Sequence, residues 1–213
     1  GPEGRGGINI LFWGPPGTGK TEFAKYLAHS LGVALIVKRS SDLDSMWVGM
    51  TEKNIAAAFR EAVRAKAILF IDEADSFFSA RENAFRSWEV SRTNEFLTQM
   101  ENHSGILICC TNLLPSMDRA AMRRFTWKIE FGPLRNDDKV GLYVKYFGGK
   151  DPLTPAQKLR IASIGGLTPG DLKAVWQRYR YVSKCEMDHE LIIKELENEI
   201  KYRVTVNIGK IGF

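Results

Sequence analysis

The sequence predicts an α/β fold in which helices cover both faces of a parallel β-sheet, followed by a small all-helical domain. A glycine-rich loop separates an apolar run from a helix-like stretch near the start of the chain. Apolar strand-like runs then alternate with amphipathic stretches, which is typical of a three-layer parallel sheet. From residue 134 onward the strand signals disappear and helical spacing continues.

The first element is an apolar run, residues 8–13, that leads into the glycine-rich loop. The loop fills every specified position of the phosphate-binding pattern G-x-x-x-x-G-K-[ST], and a helical stretch follows it. Its residues are Gly14, Pro15, Pro16, Gly17, Thr18, Gly19, Lys20 and Thr21. Glycines let backbone N–H groups approach a triphosphate, Lys20 would reach the β and γ phosphates, and the Thr21 hydroxyl would bind Mg²⁺. A plain glycine-rich turn is the alternative, and the complete motif in this context disfavours it.

The remaining elements of the α/β region follow in alternation. After residues 8–13, strands are predicted at residues 33–37, 67–71, 106–110 and 126–131. Phe23, Leu27 and Leu31 recur at helical spacing, and Gly32 is expected to end that helix. Thr51 is expected to cap the next helix.

The second half of the chain is predicted to be helical. Thr154 with Pro155, Thr168 with Asp171, and Asp188 are each expected to begin a helix. The tail could be a short strand or an ordered extension. The expected division is a flexible leader or cloning remnant at 1–7, the α/β domain at 8–133, the helical domain at 134–204 and the tail at 205–213.

Composition limits the function classes. With 44% hydrophobic and 26% charged residues among 213, the chain reads as one ordinary globular protein. No apolar run approaches the roughly 20 residues needed to cross a bilayer and no secretory signal is visible, so a cytoplasmic location is expected. A net charge of +5 without a dense basic cluster does not favour nucleic acid. Cys109 and Cys110 are expected to be reduced packing residues on opposite faces of a strand.

Polar residues end two of the predicted strands. Asp72 and Glu73 follow a fully apolar run, as in a buried central strand that delivers acidic groups to the carboxyl edge of a sheet. A pair of solvated acids in a turn is the alternative. Thr111 and Asn112 follow the next apolar run, and Asn112 could simply cap the loop after it.

The phosphate loop, the acidic pair, Thr111-Asn112 and the helical end occur in an order that resembles an AAA+ ATPase module of the AAA clade, from about residue 8 to residue 204. The resemblance implies that Asp72 holds Mg²⁺ together with Thr21, that Glu73 is the general base, and that Asn112 is a sensor of the γ phosphate. ATP and ADP are the implied nucleotides. Their implied contacts extend beyond the loop to Glu22 and Gly170.

Two further segments carry the same resemblance. Residues 117–125 resemble the region whose two arginines reach a neighbouring subunit's nucleotide; here Arg123 and Arg124 are adjacent, so either could act in trans, and both could instead be ordinary surface residues. Residues 166–172 resemble the second sensor region, with Pro169-Gly170 where Gly-Ala is common. Helix capping alone would also explain Thr168 and Asp171.

A loop near residue 47 resembles the central-pore loop of the family. Its residues are Met46, Trp47, Val48 and Gly49. The Trp47 indole would grip an extended polypeptide through apolar contact, and Gly49 would let the loop move. A buried tryptophan is the alternative.

The resemblance therefore implies an Mg²⁺-dependent ATPase that works as a homo-oligomeric ring, a hexamer by analogy, and remodels or unfolds a protein substrate. A nucleic-acid motor or clamp-loader-like subunit is one alternative, which the lack of a basic cluster disfavours. A nucleotide-dependent scaffold is the other. Because only thirteen residues precede Gly14, we expect weaker nucleotide binding than in an intact protein.

Overall fold

The computed structural model describes residues 6–47, 49–78, 87–112, 119–148, 152–183 and 187–208. The chain divides into two compact units. The first comprises Gly1–Gly14 and Lys20–Phe131, and the second comprises Pro15–Gly19 and Gly132–Phe213. In the described residues, the helices are all too short or too polar to cross a membrane.

The first unit is built on a five-stranded sheet with the order β2-β3-β4-β1-β5, in which every paired strand is parallel. The strands are β1 (Ile8–Trp13), β2 (Leu35–Arg39), β3 (Ile68–Asp72), β4 (Ile106–Thr111) and β5 (Trp127–Glu130). The predicted α/β class with a parallel sheet is confirmed. Because β3, β4 and β1 are neighbours and run the same way, the loops that follow them share one edge of the sheet.

The strand after the first helix begins later than predicted. Helix α1 (Lys20–Leu31) ends at Gly32 as expected, with a left-handed φ of 66° at that glycine. The backbone N–H of Val33 then donates to the Ala28 carbonyl at 3.0 Å, so it still belongs to the helix end. Strand pairing therefore starts only at Leu35, and the predicted start at residue 33 was wrong.

The other helices of the first unit are α2 (Ser40–Leu43), α3 (Met50–Ala65), α4 (Asp75–Phe78), α5 (Ser87–Asn102) and α6 (Arg119–Met122). The predicted cap of α3 was wrong. Gly49, with a φ of 78°, precedes the helix, and Thr51 lies within its first turn. The Thr51 hydroxyl instead accepts a hydrogen bond from the Ser45 backbone at 2.9 Å.

Two apolar layers cover the sheet. Leu11, Leu69 and Cys109 pack with residues of α3 and α5 on one face. Their neighbours Phe12, Phe70 and Cys110 pack with α1 on the other face. The period of two in a strand explains this division, and it confirms that Cys109 and Cys110 are buried, unbonded residues on opposite faces.

The described part of the second unit contains helices α7 (Asn136–Phe147), α8 (Pro155–Ser163), α9 (Pro169–Tyr179) and α10 (His189–Ile208), around a core of its own. Capping boxes at Thr154 and Thr168 begin α8 and α9 as predicted. The Asp188 carboxylate accepts the backbone N–H groups that open α10. Helix α10 continues to Ile208, so the first part of the predicted tail is helical, whereas residues 209–213 lie outside the described residues.

Candidate functional site

The phosphate-loop glycines adopt a backbone that other residues resist. Gly14 and Gly19 have φ angles of 137° and 97°, in the range that L side chains rarely adopt. A Cβ on Gly14 would lie 2.1 Å from the Phe131 carbonyl oxygen, whereas a Cβ on Gly19 would meet no atom within 4 Å. The loop is therefore packed tightly where it leaves β1 and open where it enters α1, as an anion cradle requires.

Lys20 joins the start of the loop to the end of β4. Its ammonium donates to the Gly14 carbonyl at 2.7 Å and to the Asn112 side-chain oxygen at 2.8 Å. Burial lowers the pKa of Lys20, and the nearby Asp72 is among the groups that oppose this shift. The predicted phosphate ligand and the predicted sensor thus lie within one hydrogen bond of each other.

The acidic pair occupies a constrained turn at the end of β3. Asp72 ends the strand, and its Oδ1 accepts the Glu73 backbone N–H at 3.0 Å. Glu73 has a φ of 56°, one of two described non-glycine residues in the left-handed region, and its side chain is exposed. Strained backbone of this kind concentrates at functional sites.

Strand β4 holds the same turn in place. The Ala74 backbone N–H donates to the Cys110 carbonyl at 2.8 Å, and the buried Thr111 hydroxyl donates to Asp75 at 3.1 Å. These bonds fix the residues on the C-terminal side of Glu73. Within the first unit, Lys20, Asp72, Glu73 and Asn112 therefore lie at or just beyond the carboxyl ends of the adjacent parallel strands β1, β3 and β4.

The oxygen donors at this edge suit a magnesium ion better than a transition metal. Thr21 offers a half-buried hydroxyl in the first turn of α1, and Asp72 offers a carboxylate. The described residues contain no cluster of three or more His, Cys, Asp or Glu able to hold a metal. Mg²⁺ keeps several waters and needs few protein ligands, so two oxygens fit it. Glu22, the other predicted contact in this turn, pairs with Lys25 at 2.8 Å.

The middle of the loop, Pro15–Gly19, belongs to the second unit and packs against the start of α9. Thr18 closes the loop on itself by donating to the Pro15 carbonyl at 2.8 Å. The Gly170 backbone N–H donates to the Gly17 carbonyl at 2.8 Å. Pro16 is exposed. Gly170 was predicted as a nucleotide contact, and the structure places it against the loop that carries the phosphate motif.

The two candidate arginines differ in their surroundings. Arg124 donates to Glu101 at 2.7 Å and to the Ala120 carbonyl at 2.8 Å. Arg123 is exposed and has no hydrogen-bond or ion-pair partner within the described part of the chain. Met117 and Asp118, which belong to the same predicted segment, lie outside the described residues.

The predicted pore loop presents its aromatic residue to solvent. Met46 is 97% exposed and Trp47 is 75% exposed, so the alternative of a buried tryptophan is wrong. The base of the loop is anchored, since Arg92 pairs with Asp44 at 3.1 Å and Asn54 donates to the Leu43 carbonyl at 3.1 Å. Gly49 has a left-handed φ of 78°, and Val48 lies outside the described residues.

Sequence reasoning missed two arginines beside these segments. Arg92 donates to the Ser76 carbonyl at 2.7 Å as well as to Asp44, so it joins the acidic turn region to the base of the Trp47 loop. Arg203, near the end of the described chain, pairs with Asp171 at 2.7 Å. No local pattern marks either residue, because their partners lie more than about fifteen positions away and only the fold brings them together.

A parallel sheet carrying a glycine-rich phosphate loop, its lysine and an acidic pair at the carboxyl edge defines a P-loop nucleotide-binding domain. Residues 10–133 match the family described as "ATPase family associated with various cellular activities (AAA)", and the chain belongs to this family.

Similar proteins extend over most of the chain. A putative 26S proteasome regulatory subunit homologue of Methanocaldococcus jannaschii is 31% identical over 201 residues, which cover 86% of this chain and 54% of that protein. Protein SAV of Sulfolobus acidocaldarius is 37% identical over 209 residues, covering 90% and 27% respectively. This chain thus spans about half or less of these relatives.

A solved structure supports the fold independently. The crystal structure of the FIGL-1 AAA domain in complex with ADP superimposes with a TM-score of 0.67 at 23% identity, over 91% of this chain and 71% of that one. At this identity the likeness is one of fold.

Proposed function

We propose that this chain is the motor module of an Mg²⁺-dependent ATPase that hydrolyses ATP to ADP and phosphate and remodels a protein substrate as part of a ring. The observation that carries the proposal is the convergence of Lys20, Asn112, Asp72 and Glu73 at the carboxyl edge of one sheet. Family membership supports the nucleotide chemistry.

Each residue of the candidate site has a separate role in phosphoryl transfer. The loop N–H groups and Lys20 bind the phosphates, and Glu73 accepts a proton from the attacking water. The water oxygen bonds to the γ phosphorus while the bond from that phosphorus to the β–γ bridging oxygen breaks, leaving ADP and phosphate. Asn112 orients the γ phosphate. Mg²⁺, held by Thr21 and Asp72, would neutralise charge on the transferred group.

Assembly would complete the site. Of the two candidate arginines, Arg123 is the better donor to a neighbouring subunit's nucleotide, because Arg124 is already engaged by Glu101 and Ala120. A guanidinium that stays charged can neutralise the transferring phosphoryl oxygens. A homo-hexameric ring is the arrangement that the family suggests.

The exposed Trp47 loop supports polypeptide as the substrate. An indole that is three-quarters exposed on an anchored loop offers apolar surface without sequence preference. The name of the Methanocaldococcus relative, a proteasome regulatory subunit homologue, is compatible with this class of substrate.

ATP turnover by the wild-type chain and the Glu73→Gln variant tests the proposal. Glutamine keeps the shape of the side chain but cannot take a proton, so turnover should fall by about 100-fold or more, with ATP affinity retained. Glu61→Gln is the matched control, because Glu61 is an exposed carboxylate paired only on the surface with Lys38. Undiminished turnover in Glu73→Gln would remove Glu73 as the base.

A further inference from the structure

Ion pairs of three arginines in the described residues tie helix α10 to the rest of the second unit. Arg160 pairs with Glu190 and Glu197, and Arg178 pairs with Glu195 and Glu199. The carboxylates in these two sets are 26–59% exposed. The third is different: Arg203 pairs with Asp171, whose side chain is only 8% exposed. A buried ion pair demands good geometry and further hydrogen bonds, so its surroundings are informative.

The Arg203 guanidinium spans the turn that precedes α9. One terminal nitrogen donates to both Asp171 oxygens, at 2.7 and 2.9 Å. The other donates to the Gly166 carbonyl at 2.6 Å. Arg203 therefore holds the residues at both ends of the turn from 166 to 171.

Asp171, which Arg203 holds, in turn fixes Thr168 at the start of α9. Its Oδ2 accepts the Thr168 backbone N–H and the Thr168 hydroxyl, each at 2.8 Å. The Thr168 hydroxyl oxygen in turn accepts the Asp171 backbone N–H at 3.3 Å. Both residues are buried, so this capping box has little freedom once Arg203 is in place.

The first turn of α9 also contacts the phosphate loop. Pro169 has no backbone N–H and Asp171 gives its own to Thr168, so Gly170 supplies the free first-turn donor. That N–H donates to the Gly17 carbonyl at 2.8 Å. The fit is close, since a Cβ on Gly170 would lie 2.7 Å from the Gly17 Cα.

We propose that Arg203 is a positioning residue for the phosphate loop, acting through Asp171, Thr168 and the Gly170 N–H on Gly17. The inference rests on the proposed ATPase function, because it concerns how the same loop holds phosphate. Loss of the guanidinium leaves the Asp171 carboxylate buried without its cation, which loosens the capping box and the donor that fixes Gly17.

Steady-state ATP hydrolysis by wild type, Arg203→Ala, Arg203→Lys and Arg178→Ala tests the inference. Arg178→Ala is the matched control, since it removes ion pairs to the same helix, with Glu195 and Glu199, that do not involve the turn from 166 to 171. Arg203→Ala should raise the KM for ATP about tenfold while kcat changes by less than about threefold. Lysine should restore part of the affinity, and Arg178→Ala should match wild type.

A double-mutant cycle separates positioning from general stability. Gly170 has no left-handed φ, so alanine there disturbs mainly the contact with Gly17. Gly170→Ala should also raise KM, and Arg203→Ala added to it should raise KM by less than the product of the two effects. If Arg203→Ala does not fold, the same cycle with Arg203→Lys decides.

Two results would overturn the inference: an unchanged KM in a folded Arg203 variant, or effects of Arg203 and Gly170 that multiply independently. A wild-type chain that neither binds nor hydrolyses ATP would instead overturn the proposed function, and this inference with it.

Discussion

The ammonium of Lys20 lies 2.8 Å from the side-chain oxygen of Asn112, although 92 positions separate the two residues. One belongs to the phosphate loop and the other follows β4, whose last residue, Thr111, pairs with the last residue of β1. Because of this hydrogen bond, the side chain at position 112 touches the cation that would bind the phosphates, so its charge as well as its amide is relevant.

This contact predicts that alanine and aspartate at position 112 affect different properties, namely ATP turnover for alanine and ATP affinity for aspartate. Alanine removes the orienting amide, and turnover should fall at least about tenfold with ATP affinity nearly unchanged. Aspartate places a carboxylate beside Lys20 and facing the phosphates, so ATP affinity itself should fall. Titration with a fluorescent ATP analogue measures affinity, and Asn102→Ala on α5 is the control. Aspartate binding ATP as tightly as wild type would contradict the prediction.

Substitutions of Arg123 and Arg124 should have different effects, the first on ATP turnover and the second on stability. Arg123→Ala should suppress ATP turnover without lowering the melting temperature, whereas Arg124→Ala should lower the melting temperature because it loses Glu101 and the Ala120 carbonyl. Mixing Arg123→Ala with Glu73→Gln should restore part of the turnover, since each supplies what the other lacks. No recovery on mixing would argue against Arg123 acting across subunits.

Substitution of Trp47 should distinguish a motor that moves a polypeptide through a central pore from a nucleotide-dependent scaffold. Trp47→Ala should retain ATP turnover but lose ATP-driven unfolding of a fluorescent protein that carries a disordered tail. Trp127→Ala is a matched control, because that tryptophan is 61% exposed on β5, away from the Trp47 loop in sequence. Full unfolding activity in Trp47→Ala would favour the scaffold alternative.

Stability should decline in mild acid because of His103. Its ring is buried against Phe59, with centroids 5.2 Å apart, and neither ring nitrogen makes a hydrogen bond of normal geometry to the described residues. Burial lowers the pKa of His103, with the nearby Ile106 backbone offsetting part of the effect. The unfolded chain therefore takes up the proton first.

The contribution of His103 to stability is complete above the unfolded pKa of about 6.5 and is lost as the pH falls through the lower folded pKa. Between pH 7 and 5.5 the unfolding free energy should drop by up to about 1 kcal/mol. Urea denaturation at several pH values measures this, and His103→Leu should flatten the dependence. An equal slope in that variant would show that other groups are responsible.

Local patterns predicted those parts of the molecule that local forces determine. Gly32 at the end of α1 and the helix starts at Thr154 and Thr168 were predicted correctly because the hydrogen bonds that fix them span only a few residues. The start of β2 was wrong because Val33 is held by the end of α1, and the cap of α3 was wrong because Gly49 takes a left-handed turn there. Neither conformation can be read from residue type alone.

The motif residues of the candidate site could be predicted from the sequence, but the residues that hold them in position could not. Lys20, Asp72 and Glu73 follow apolar strands, so their shared edge could be inferred. Arg203 reaches Asp171 across 32 positions, and its role depends on a helix packing that no spacing rule predicts. The short helices α2, α4 and α6, of four residues each, leave too little periodicity to detect.

Equilibrium binding of a fluorescent ATP analogue with Mg²⁺ to wild type, Lys20→Ala and Glu73→Gln tests the central claim most directly. If the glycine loop and the acidic turn serve one nucleotide, wild type and Glu73→Gln should bind with similar affinity and Lys20→Ala should bind at least about 100-fold more weakly. Equal binding by Lys20→Ala and wild type, or no binding by wild type, would contradict it.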